Sequence, residues 1–193
     1  MSKRYLETIK SVDGKLLYLE YHQKRLDVAL ETSGIHNLQS ILQPPSLGTY
    51  RCRVLYDKES CFIEYLKYQK RDIKKLKVVL NDVISYEKKY ADRRDLEKIL
   101  EQKEDCDDVL IVKNGFVTDT TIANIAFYDG EKWLTPKKPL LFGTTRARLL
   151  EMAKIVERDI QIEEIYKYQK VALMNAMIDF DIIAVENIGE IIC

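Results

Sequence analysis

Residues 4–21, RYLETIKSVDGKLLYLEY, hold two β-prone runs on either side of Asp13-Gly14, a pair that favours a tight turn, so a hairpin is expected. In the following stretch, HQKRLDVALETSG, residues Leu26, Ala29, Leu30 and Ser33 recur at helical spacing and Gly34 supplies a stop. Residues 49–57 and 60–68 read as a second hairpin around Lys58-Glu59, and KLKVVLN, residues 75–81, as a further strand. Asp92 is placed to cap a helix with the apolar stripe Leu96, Ile99 and Leu100. DDVLIVKNGFVTD is a third hairpin turned by Asn114-Gly115, and IANIAFYDGEKWLTP continues the sheet through an Asp-Gly turn. A helix is expected over residues 145–157, with Leu149, Leu150, Ala153 and Val156 inward, and strands over IQIEEI and IIAVENIGEII. Many hairpins with few helices between them predict a mixed α+β fold rather than a doubly wound parallel sheet.

Breaks in the pattern fall at Pro44-Pro45-Ser46-Leu47-Gly48 and in the charged segment near 86–95. A boundary near residue 87 would give a small N-terminal lobe, residues 1–87, and a second lobe, residues 88–193. At 193 residues the chain is long enough to bury a sizeable core. Lys plus Arg and Asp plus Glu each number 31, so there is no net charge to draw the protein to nucleic acid or to an anionic membrane. Runs such as KKLK, residues 74–77, read as solvated surface. The four cysteines form no C-x-x-C pair and there are only two histidines, which argues against a structural zinc site. With no secretion signal and no long apolar run, free thiols in a reducing cytoplasm are expected.

Four pieces carry candidate chemistry: LETIKSVDGK followed by HQKRL; KKYADR; VTDTTIANIAF; and WLTP followed by LLFGTTR. In this order they resemble the class IV aminotransferase family, the fold-type IV enzymes that use pyridoxal 5′-phosphate (PLP). The family includes branched-chain and D-amino-acid aminotransferases and 4-amino-4-deoxychorismate lyases. The likeness runs from about Tyr5 to about Asn187, and K-x-x-[DN]-R looks more like the lyase branch. The resemblance implies a two-lobed fold of mixed and antiparallel sheet, with the cofactor cleft between the lobes and PLP bound mainly by residues 88–193. It also implies a homodimer and a small-molecule amino substrate.

Residue by residue, the resemblance places the lysine that bonds the PLP aldehyde at Lys89, three residues before Asp92-Arg93, with Lys88 the competing register. Without the rest of the pattern, Lys89 would read as a surface lysine. Such a lysine also carries the proton at the substrate carbon. The carboxylate at the pyridine nitrogen falls on Asp119, where the family has glutamate in V-T-E; the aspartate reaches about 1.5 Å less far. A turn aspartate at a strand end is its plainer reading. Gly143, Thr144 and Thr145 open a helix and suit a phosphate, through backbone N–H groups and hydroxyls, although G-T-T-R alone would be an ordinary cap. Arg25 of H-x-x-R-L matches the phosphate-pairing arginine, Asn175-Ala176 a second phosphate contact, and Asn124 of A-N-I another cofactor contact, while His22 reads as structural. Thr8 of L-E-T matches a threonine near the reacting groups in the lyases. Arg53 is a candidate for a substrate carboxylate and Arg93 a second substrate-binding candidate. Tyr90 could pack near the cofactor, but one tyrosine among 12 carries no firm assignment.

The chain departs from the family in opening almost at the L-E-T strand, without the preceding segment that ends in G-x-G, and in short loops after the second hairpin. Three functions remain open. The first is a lyase forming 4-aminobenzoate and pyruvate for folate synthesis, the second an aminotransferase using the same residues. The third is a degenerate, non-catalytic PLP- or ligand-binding protein, suggested by Asp119 and the shortened ends.

Overall fold

The computed structural model describes residues 3–184 and 188–193. The chain forms two compact units, residues 1–70 with 88–92, and residues 71–87 with 93–193. It passes between them at 70/71, 87/88 and 92/93, so the short K-K-Y-A-D segment belongs with the N-terminal hairpins. The architecture is mixed α+β, as the strand-rich pattern predicts.

The first unit is a four-stranded antiparallel sheet in the order β2-β1-β3-β4, built from β1 (Tyr5–Val12), β2 (Lys15–Leu16), β3 (Thr49–Tyr56) and β4 (Cys61–Lys67). Asp13 and Gly14 both have positive φ, 46° and 79°, the backbone that the tight hairpin turn requires. One face of the sheet alternates Glu7, Ile9 and Ser11, all fully buried. Helix α1 (Leu19–Leu30) lies over that face, and Leu26, Ala29 and Leu30 join Ile9, Cys52, Val54 and Tyr56 in one core. The helix begins three residues before His22 and ends at Glu31, which takes a left-handed φ of 58°. Ser33 therefore lies beyond it, contrary to the spacing-based expectation. A one-turn helix, α2 (Leu38–Ile41), capped by Asn37, carries no periodic signal and was not expected.

Residues 88–92 run beside the start of β1. Leu6 N–H donates to Lys89 O at 2.9 Å, Ala91 N–H to Arg4 O at 2.9 Å, and Tyr5 pairs with Tyr90.

The second unit has an eight-stranded sheet. Its path runs β10-β9-β8-β7-β6-β5, and β11 joins β8 on one side and β12 on the other. The strands are β5 (Leu76–Leu80), β6 (Asp108–Lys113), β7 (Phe116–Thr120), β8 (Asn124–Tyr128), β9 (Trp133–Pro136), β10 (Ile155–Arg158), β11 (Lys170–Asn175) and β12 (Asp179–Ala184). The helices are α3 (Arg94–Leu100), α4 (Thr144–Glu151) and α5 (Ile188–Ile191). The main core gathers Leu110, Val112, Ile125, Phe127, Leu134, Val171 and Leu173. Asn114 and Gly115 turn the β6–β7 hairpin with φ of 51° and 80°.

The structure departs from the sequence pattern at four places. The residue at the N-cap position of α3 is Arg93, whose side chain makes no cap, and Asp92 stands one position earlier. The helix expected over 145–157 stops at Glu151. Ala153 is left-handed (φ 53°), with Ala153 N–H bonded to Leu150 O and Lys154 N–H to Leu149 O, a Schellman ending. Residues 155–158 then pair in parallel with β9, and Val156 is exposed, because an open sheet edge outweighs the helical spacing. IQIEEI is mostly a 3₁₀ helix (Ile162–Lys167) anchored by Ile165, not a strand. The strand lies instead at Lys170–Asn175, whose middle four residues are buried on both faces, so no polar alternation marks it. Of IIAVENIGEII, the start is in β12 and the end in α5, and residues 185–187 lie outside the described residues.

Candidate active site

In the first unit, the inward phase of β1 carries a carboxylate to the helix face. Glu7 Oε1 accepts from Arg25 Nε at 2.7 Å, and Oε2 accepts from Arg25 Nη2 and His22 Nδ1, both at 2.6 Å. Glu7 and His22 are fully buried, and Arg25 is 16% exposed. Burial alone would raise the Glu7 carboxyl, but the charge of Arg25 and the hydrogen bonds from His22 and Arg25 hold it at about 2. His22 is pushed down by burial against the pull of Glu7, so it is neutral at pH 7; since a carboxylate only accepts, its hydrogen sits on Nδ1. The histidine read as structural is thus part of the clamp that orients Arg25. Lys89 lies close enough for its charge to lower His22 further. Lys88, the competing register, directs its ammonium to Ala29 O at 3.1 Å and to Glu31 at 2.7 Å. Tyr90 stacks at 5.7 Å on Tyr5.

On the opposite face of this sheet, Thr8 pairs with Arg53 and Arg53 with Glu64, making a polar row across three strands. Arg53 Nη1 donates to Glu64 at 2.8 Å, and both are 40% exposed. Glu7, one residue before Thr8, has no role that the sequence alone assigns. A charged residue in phase with Ile9 and Ser11 was its signal, but its partners on α1 depend on packing between elements.

In the second unit the sheet forks at β8. Along one edge, β7 meets β8 only at Asp119 opposite Asn124, while β9 pairs farther on at Phe127 and Tyr128. The 140–143 segment is bonded into the fork. Asn124 Nδ2 donates to Asp119 Oδ1 at 2.7 Å and to Leu141 O at 2.8 Å, and Leu141 N–H donates to Asp119 Oδ2 at 2.9 Å. Asp119 is buried and the two donors just named, the Asn124 amide and the Leu141 N–H, are neutral, so burial raises its carboxyl to about 7 despite these bonds and the charge of Arg146. Asn124 is therefore the residue that orients Asp119.

The same amide explains Gly143. A Cβ there would lie 2.0 Å from Asn124 Oδ1, so any side chain displaces Asn124. Gly143 flanks the start of α4 with ordinary extended angles (φ −70°, ψ 147°), and the helix has no side-chain cap. Thr144 and Thr145 are buried in its first turn, whose amides have no intrahelical acceptors. Arg146 turns away, donating to Pro136 O at 2.9 Å and to Glu157 at 2.6 Å, and so ties α4 to β9 and β10.

The remaining candidates surround the loop after Asp119. Arg93 Nη2 donates to Thr121 O at 2.8 Å. Asn175 Nδ2 donates to Ile122 O at 3.1 Å, while its Oδ1 accepts from Met177 and Ile178 N–H and shapes the turn that contains Ala176. Thr121 Oγ1 donates at 2.5 Å to buried Asp108, a contact without a sequence signal. The structure thus gathers Asp119, Asn124, Gly143, Thr144 and Thr145 around the fork, with Arg93 and Asn175 bracing the adjacent loop.

This strand-rich scaffold has known relatives. A profile of the family described as amino-transferase class IV matches residues 88–187, just over half of the chain. A Haemophilus influenzae protein named only "Uncharacterized protein" is 38% identical over 180 residues, 89% of this chain and 96% of its own. A Haemophilus somnus structure, named "putative 4-amino-4-deoxychorismate lyase", is 34% identical with a TM-score of 0.82, covering 92% of this chain and 97% of that one. A Schizosaccharomyces pombe protein named "Putative aminodeoxychorismate lyase" is 41% identical over 75 residues, 36% of this chain and 32% of its own. The chain belongs to the class IV aminotransferase family, whose members are PLP-dependent enzymes. Among the described residues, no helix is long and apolar enough to cross a membrane.

Proposed function

We propose that the protein is a PLP-dependent lyase that converts 4-amino-4-deoxychorismate into 4-aminobenzoate and pyruvate. The observation that carries this reading is the likeness, over nearly the whole of both chains, to the Haemophilus somnus protein of that name. K-Y-A-D-R, in the form typical of the lyase branch, supports it.

The residues present suit the cofactor. Asp119 is a buried carboxyl with neutral bonding partners, and a protonated pyridine nitrogen would supply the positive charge. The uncapped start of α4, with Thr144 and Thr145, suits a phosphate. Arg25, its plane set by Glu7, matches the family's phosphate-pairing arginine. Lys89 would hold the aldehyde. When bound, PLP supplies an electron sink for the bonds broken at the amine-bearing carbon of the substrate.

The work of the chain is then binding and proton handling. Lys89 would take the proton from that carbon of the substrate. Asp119 would keep positive charge at the ring nitrogen of the bound cofactor. Thr8, next to Glu7 on β1 and across from Arg53, offers a hydroxyl to the reacting groups, and Arg53 a charge for a substrate carboxylate. Loss of pyruvate makes the ring aromatic, so orientation and a single proton relay are the main demands. The proposal includes a homodimer in the cytoplasm.

The purified protein with PLP should form 4-aminobenzoate and pyruvate in equal amounts from 4-amino-4-deoxychorismate. If neither product appears and an amino donor instead leaves the cofactor in its pyridoxamine form, the protein is an aminotransferase.

Asp119→Asn separates the cofactor role of this residue from its structural cost. The folded carboxyl titrates near 7, above the ordinary 3.8, so without cofactor it destabilises the fold as pH rises through that interval. The cofactor-free variant should therefore melt higher than wild type at about pH 8, by on the order of 3 kcal/mol, with little difference near pH 4. With PLP its turnover should fall by about a hundredfold or more. Equal melting of the two cofactor-free proteins at the higher pH would count against a carboxyl that burial holds above its ordinary value.

A further inference from the structure

Cys106 and Cys193 are 87 residues apart in the chain, yet their sulfurs lie 3.2 Å apart. Backbone hydrogen bonds deliver both to the start of β5. Cys193 N–H donates to Leu76 O at 3.0 Å and Val78 N–H to Cys193 O at 2.6 Å, while Ile192 pairs in parallel with Leu76. From the other edge, Asp107 N–H donates to Lys75 O at 3.0 Å, and the Asp107 carboxylate accepts from the N–H groups of Lys74 and Lys75. Cys193 is exposed and Cys106 buried; burial and the neighbouring Cys193 push the Cys106 thiol up, against the smaller opposing pull of Lys77 and Lys75. The other two thiols belong to the first unit, where Cys52 donates to Ser11 Oγ and Cys61 faces Tyr56 across the strands.

We propose that Cys106 and Cys193 form a redox modification site that a low-molecular-weight disulfide oxidises to an internal cross-link. The thiolate of exposed Cys193 attacks one sulfur of the reagent, forms a mixed disulfide and releases one small thiol. Cys106, its proton lost to solvent, attacks the Cys193 sulfur and expels the second small thiol. Two protein thiols become one disulfide, and the reagent is reduced to two thiols. The bond fastens the two residues after α5 to the segment just before β6, beside β5 and next to Ile188 and Ile192 of the main core. It also closes a long loop, which restricts the unfolded chain strongly.

The test is incubation of the reduced full chain with glutathione disulfide, followed by thiol counting and non-reducing peptide mapping. Four free thiols should fall to two, with a Cys106–Cys193 linked peptide, a raised Tm, and reversal by dithiothreitol. Cys106→Ser should stop at a glutathione adduct on Cys193, and Cys61→Ser should still form the cross-link. A lasting adduct on Cys193 in the wild type, or a covalent dimer through Cys193, would overturn the proposal.

Discussion

Lys89→Ala is expected to lose the covalent attachment of PLP and, with it, turnover by about four orders of magnitude, the upper end for removing a proton-transferring group. The carbonyl of Lys89 is bonded to Leu6, so the backbone holds this residue against β1 while its side chain lies near His22 and the Arg25 clamp. Lys88→Ala is the matched control. Its ammonium binds Ala29 O and Glu31, so its loss should cost little stability and leave attachment intact. Borohydride reduction of the PLP-loaded proteins, then peptide mapping, reads the result directly. The modified peptide should carry the label on residue 89 in wild type and Lys88→Ala, and carry none in Lys89→Ala. A label on residue 88 would shift the assignment by one position.

Glu7→Gln should produce the largest loss of stability among single changes at the site. At neutral pH it removes the charge that Arg25 and His22 share, leaving the guanidinium without its carboxylate, at a cost of about 3 kcal/mol. The sign with pH follows from the folded carboxyl at about 2, below its ordinary 4.5. Its contribution is complete above 4.5 and fades as pH falls toward 2, so the melting temperatures of wild type and variant should converge in acid. The orientation of Arg25 is lost too, and PLP affinity should drop by about tenfold through the phosphate contact proposed for it. Urea melts at two pH values and PLP titration measure both effects. A constant stability difference down to acid pH would mean that the cluster does not titrate as a unit.

Much of the fold was legible because turns announce themselves. Asp13-Gly14 and Asn114-Gly115 occupy the backbone that only such pairs favour, and the strands between them follow. Legibility failed where an element depends on its neighbours. Residues 155–158 have helical spacing but pair with β9, and Lys170–Asn175 lacks alternation because both of its faces are covered. The site divides along the same line. Lys89, Arg25, Asp119 and Gly143 stand as candidates in the sequence because an ordered set of local motifs carries them. Glu7 could not be paired with Arg25, nor Asn124 with Gly143, since those contacts arise only when strands and helices pack.

The last of these contacts ties the histories of two positions together. Because a methyl group at 143 would overlap the amide of residue 124, neither site can drift alone. A smaller residue at 124 would make room at 143 but release the carboxyl of Asp119, so the neutral route between sequences passes through glycine. Related chains should therefore keep or exchange this pair together, and the effects of single and double substitutions there should depart far from simple addition.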